Sequence, residues 1–99
     1  MQEDHVSMGW SAARKLRKSV DALGRVLAIE LVTAARGLAL RSPLEPGPAS
    51  QAVIRALEDL VGDTTGPDRV VADTLGAAYL GVLDRSYIAA AESVTGPLR

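Results

Sequence analysis

Ninety-nine residues, 47% of them hydrophobic, suffice for one domain with a core. A formal net charge of −1 argues against a general nucleic-acid binder, which shows a basic excess. The lack of cysteine removes disulfide and thiolate chemistry and fits a cytosolic protein. The opening residues are acidic and polar, so no signal peptide is read there. The longest apolar stretch, residues 26–35, falls far short of the roughly 20 residues that a bilayer span needs.

Leu16, Val20, Leu23, Leu27, Leu31, Ala34 and Leu38 recur three and four residues apart. This spacing predicts one long helix over residues 7–40 with a single apolar stripe, kinked near Gly9 or Gly24. Asp4 and Ser7 are candidate N-caps, because their side-chain oxygens accept from first-turn N–H groups. Ser42 precedes Pro43 and is pushed out of the α region, so the helix should end near Arg41. Val26, Ile29 and Val32 add a second apolar face to residues 26–35. A helix apolar all round is buried all round. A three- or four-helix domain of this length cannot surround one helix that fully, so the sequence asks for further partners.

Residues 42–47 form a proline-rich connector. Pro48 suits the first position of a second helix, where its missing N–H costs nothing. Ala52, Val53, Ala56, Leu57, Leu60 and Val61 give that helix its apolar face, and Gly62 is its stop. Residues 62–67 read as a second connector, rich in Gly, Thr and Pro. A third helix is expected over residues 70–83. Asp84-Arg85-Ser86 then breaks the chain, with Ser86 capping a short fourth helix to residue 94. No strand alternation or internal repeat is apparent. The expected fold class is all-α: a long helix followed by two or three shorter ones, with no complete domain boundary inside residues 1–99.

The residues that carry chemistry stand at the start. Gln2-Glu3-Asp4-His5-Val6-Ser7-Met8 places two carboxylates and an imidazole in consecutive positions, flanked by a carboxamide and a hydroxyl. By residue type alone this is a polar tail with a helix cap. A carboxylate such as Glu3 beside a substrate could also hold a cationic or N–H-bearing group, or move a proton. His5 is the only histidine, and with no cysteine a metal site of usual spacing is not expected. It reads as a hydrogen-bonded residue at the helix start, or as one that orients Glu3 or lines a pocket. Arg14, Lys15, Arg17 and Lys18 read as a solvated or subunit-contacting face; no aromatic interleaves them and acidic residues elsewhere balance them. Glu30 sits among apolar neighbours and needs a partner if buried. Arg25, five residues back, is at a poor helical distance, so an arginine from another chain or another part of a longer protein is the expected partner.

The opening run resembles the glutamate-bearing active-site segment of the aromatic amino-acid ammonia-lyase family, and within it the histidine ammonia-lyases. The likeness continues through Ser11-Ala12-Ala13-Arg14-Lys15-Leu16-Arg17, Val26-Leu27-Ala28-Ile29-Glu30-Leu31, Leu44-Glu45-Pro46-Gly47-Pro48-Ala49 and Val94-Thr95-Gly96-Pro97. The resemblance implies a C-terminal segment of a longer lyase, part of a central helical bundle in a cytoplasmic homotetramer. The implied reaction is loss of ammonia from L-histidine to give urocanate. Gln2 and Glu3 would bind substrate, with Glu3 also the candidate catalytic residue and His5 a further binding candidate. Relatives acting on phenylalanine or tyrosine carry an amide at the matching position, so Glu3 points to histidine. The family's methylidene-imidazolone forms from an Ala-Ser-Gly triplet. None occurs here, so that group is expected from another part of the parent, and this chain alone is expected to be inactive. Expected partners are the remainder of the enzyme and identical subunits, with no nucleic acid and no membrane. Two alternatives stay open: a self-associating helical module without chemistry, and a segment of a tyrosine or phenylalanine ammonia-lyase or aminomutase.

Overall fold

The computed structural model describes the backbone of residues 2–63 and 71–98, and the side chains of residues 8–63 and 72–98. Four helices follow one another: α1 (Gln2–Leu40), α2 (Pro48–Val61), α3 (Val71–Leu83) and α4 (Ser86–Thr95). Among the described residues there is no strand, and no helix is long and apolar enough to cross a membrane. The fold is all-α, as expected.

Helix α1 starts earlier than its caps suggested. Asp4 and Ser7 lie inside it rather than ahead of it. Neither proline nor glycine stands between Gln2 and Met8, and Gln, Glu and Met favour helix, so nothing interrupts the backbone ladder there. At 39 residues the helix is about 58 Å long. It therefore sets the longest dimension of the molecule, 64 Å. It ends at Leu40, and Arg41 and Ser42 close the turn by donating to the carbonyls of Leu38 and Ala39.

The other boundaries follow local chemistry. Pro48 opens α2 behind Gly47. Gly62 closes it in a left-handed conformation (φ 82°), its N–H donating to the Glu58 carbonyl at 2.8 Å. Gly96 (φ 77°) closes α4 in the same way on Glu92. Part of the second expected connector and the expected start of α3, residues 64–70, lie outside the described residues. Ser86 does not cap α4. Arg85 holds the cap position, and Ser86 instead gives both its N–H and its hydroxyl to the Asp84 carboxylate. The acceptor lies two residues ahead of the donor, where a short acidic side chain reaches the orphan N–H more easily than a serine at the helix start.

The core is small. Ala28, Ala35, Leu57, Ala78 and Tyr87 are its buried members. Helix α3 lies against the C-terminal half of α1, and α2 pairs with α4. On α1 the buried seam is Gly24, Ala28 and Ala35, with Leu31 and Val32 half-buried beside it. The smallest residues thus face inward. Leu16, Val20, Leu23 and Leu27, the front of the expected stripe, stay exposed. In the stretch expected to be covered on all sides, Val26 and Ile29 keep 48% and 47% of their surface. Three short helices cover one side of α1 and no more.

Two glycines let the helices approach. A Cβ on Gly24 would stand 2.8 Å from Cε2 of Tyr79. A Cβ on Gly81 would stand 2.5 Å from the Tyr87 ring and hydroxyl and 2.7 Å from Leu60. The Tyr79 ring is at an edge, whereas Tyr87 is buried and held by its hydroxyl, which donates to the Ala78 carbonyl at 2.8 Å. Gly81→Ala should therefore destabilise the fold by about 1–3 kcal/mol through overpacking. Gly24→Ala should cost less, since Tyr79 can swing aside and alanine is the better helix former. Thermal unfolding of the two variants checks the order.

Candidate functional site

Gln2, Glu3 and His5 occupy the first turns of α1. Their side chains lie outside the described residues, so their placement is known from the backbone alone. Residues 8–23 of α1 are exposed throughout, so the opening run stands at the end of a bare helical arm. Farther along the arm, Asp21 accepts from the Tyr79 hydroxyl at 3.3 Å. The 18 residues from Glu3 to Asp21, at 1.5 Å each, put the two about 27 Å apart along the axis. Among the described residues, the contacts of α1 with the other helices lie toward its C-terminal half.

The two tyrosines have structural partners. Tyr79 bonds Asp21 and carries the Arg25 guanidinium over its ring, 4.4 Å from the centroid. This clasp joins α1 to α3 at the point where Gly24 lets them meet. Tyr87 locks α4 to α3 through Ala78. Its phenol is pushed up, first by burial and then by the Asp84 charge. Asp84 is held below the ordinary carboxylate range by the Ser86 hydroxyl first and the Ser86 N–H second, against a small opposing effect of burial.

These shifts set a pH dependence. A lowered folded pKa adds stability above the unfolded value, so the Asp84 contribution is lost as pH falls through the acid range below about 4. A raised folded pKa adds stability below the unfolded value, so the Tyr87 contribution is lost as pH rises past about 10. Asp84→Asn should flatten the acid limb of a stability–pH profile and weaken the alkaline limb only in part, because burial still holds the Tyr87 phenol up.

Arg14, Lys15, Arg17 and Lys18 are exposed on the arm. Arg14 lies over the ring of Trp10, 5.5 Å from its centroid. The four-residue spacing of Trp10 and Arg14 would have shown this contact in the sequence. Among the described residues, no group of His, Cys, Asp or Glu could hold a metal ion. Ala49-Ser50-Gln51, the nearest piece to an Ala-Ser-Gly triplet, is the first turn of α2, with the Gln51 N–H on the Gly47 carbonyl and its side-chain amide on the Pro46 carbonyl. That segment is tied into a helix and lacks the glycine, so it does not fit a methylidene-imidazolone.

Glu30 was expected to need an arginine if buried. It is exposed, on the rim of an apolar groove between α1 and the corner joining α3 to α4. Arg85 lines the same groove.

Comparison with known proteins gives the family of this chain. The chain is 59% identical over 99 residues to the histidine ammonia-lyase of Streptomyces coelicolor, covering 100% of this chain and 19% of the relative. It is 58% identical over 98 residues to that of Streptomyces avermitilis, again 19% of the relative. It is 44% identical over 97 residues to that of Symbiobacterium thermophilum, covering 98% of this chain and 19% of the relative. The chain thus spans about a fifth of the length of the curated relatives it matches. No solved structure matches it significantly. The family model for aromatic amino acid lyases matches residues 1–59, which hold the opening run, all of α1 and most of α2; with more than half of its length so matched, the chain belongs to the aromatic amino acid lyase family.

Proposed function

We propose that this chain acts as the C-terminal part of a histidine ammonia-lyase. In this reading it supplies Gln2 and Glu3 to a shared active site and α1 to the core of a homo-oligomer, a tetramer, in the cytoplasm. The supporting observation is the 59% identity along the whole chain to a histidine ammonia-lyase of about five times its length. The Glu3 carboxylate offers an acceptor for an N–H of the substrate imidazole, a charge-assisted contact stronger than a neutral one. Gln2 adds a carboxamide that can donate or accept. The methylidene-imidazolone, where the parent forms it, supplies the electrophile for ammonia loss; no residue of this chain builds it. A second reading, a helical module that associates without chemistry, draws on the leucines and valines left exposed along α1.

A chimera separates the two. The matching region of the Streptomyces coelicolor enzyme is replaced by these 99 residues, and urocanate formation from histidine is followed by ultraviolet absorbance. The chimera should be active and the isolated chain should not. A folded chimera of native mass without activity, or turnover by the isolated chain above a blank, would overturn the reading.

A further inference from the structure

The groove edged by Glu30 and Arg85 has features of a contact made with a second copy of itself. Its volume is about 360 Å³ and its floor is apolar, from Leu27, Leu31, Val82 and Ile88. Its two charged members, Glu30 and Arg85, are exposed and of opposite sign. Among the described residues no ion pair holds either one. Arg85 also keeps a left-handed backbone (φ 65°, ψ 22°), a conformation that glycine adopts with far less strain. An arginine at such a position invites a reason beyond the turn.

The surface area points the same way. The chain exposes 7624 Å². A compact monomer of its mass would expose about 5,400 Å². The excess is about 2,200 Å², whereas a standard interface takes about 800 Å² from each partner. Part of that surplus is the bare arm of residues 8–23, and Val26 and Ile29 on α1 and Leu83 on α3 add exposed apolar side chains beyond it.

We propose that two copies of this chain meet groove to groove about a two-fold axis, with Glu30 of each copy paired to Arg85 of the other. This rests on the self-association in the reading above and names its surface. A two-fold contact presents the same patch twice, so a patch holding one charge of each sign is complementary to itself. The apolar floors cover one another, and each carboxylate meets a guanidinium rather than its own kind.

Charge exchange tests it. Glu30→Arg leaves two arginines in each groove, and Arg85→Glu leaves two glutamates. Both residues are exposed, so each variant should keep the parent's helical circular dichroism. By analytical ultracentrifugation each single variant should assemble at least tenfold more weakly than the parent chain. An equimolar mixture of the two should regain assembly, because every carboxylate then meets a guanidinium across the axis. The double variant E30R/R85E should regain it alone. Single variants that associate like the parent, or a mixture that stays apart, would overturn the pairing while leaving self-association standing. A parent chain that is monomeric at high concentration would overturn both, the groove then being covered by other parts of a longer protein. None of these outcomes bears on urocanate formation by the chimera, so the lyase reading stands or falls separately.

Discussion

In an ammonia-lyase carrying this segment, Glu3→Ala is expected to lower kcat/KM for histidine by about one to two orders of magnitude. Losing a charge-assisted hydrogen bond costs about 1.5–3 kcal/mol, and each 1.36 kcal/mol is tenfold in rate. His5→Ala should cost much less, since an imidazole two positions on has a helix-start or orienting role and no assigned contact with substrate. Glu3→Gln keeps the size and one acceptor but removes the charge. It should impair histidine while tolerating a neutral aromatic substrate better. Steady-state kinetics on both substrates settle the matter. If Glu3→Gln left histidine kinetics unchanged, the acidic run would be no more than the first turn of a helix beside another residue's chemistry.

A charge on the exposed apolar flank of α1 should disperse the assembled chain. Leu27 keeps 40% of its surface in the single chain and Leu31 is half-buried, and both line the groove with Glu30. Leu27→Glu removes about 1.5–3 kcal/mol of apolar burial per copy at an interface and forces a carboxylate without a partner into it. The dimer dissociation constant should rise by a hundredfold or more, read as a loss of mass by analytical ultracentrifugation. The monomer should keep its helicity, because Leu27 already contacts solvent there. Leu31→Glu should disperse it as well but also soften the monomer, since Leu31 packs on the core. Assembly unaltered in Leu27→Glu would show that this flank is not buried between copies.

The two predictions bear on opposite ends of α1, and the sequence was informative about them to different degrees. Local chemistry determined the helices. Pro43 stopped α1, Pro48 started α2, and Gly62 and Gly96 ended α2 and α4 where glycine alone relaxes at positive φ. Such punctuation acts within a few residues, so it can be read without knowing the fold. The family was legible for the same reason: the ordered run Gln2 to Met8 and the matches after it are local strings.

The inward face of α1 could not be read that way. A leucine stripe is apolar whichever partner covers it, and periodicity does not say which apolar face goes inside. The tertiary structure decided that Gly24, Ala28 and Ala35 go inside: the Tyr79 ring lies over Gly24, and Ala28 and Ala35 join Leu57, Ala78 and Tyr87 in the core. Leu16, Leu23 and Leu27 were left outward. The caps were misread because neighbours compete: Asp84 took both the N–H and the hydroxyl of Ser86, leaving Arg85 at the cap position, and an uninterrupted helix ran through Asp4 and Ser7. Glu30 and Arg85 lie 55 positions apart in the chain, and only the packing of α3 and α4 on α1 brought them to one groove. Short-range sterics and hydrogen bonding are written in neighbouring residues; which apolar faces meet is decided by shape across the whole chain.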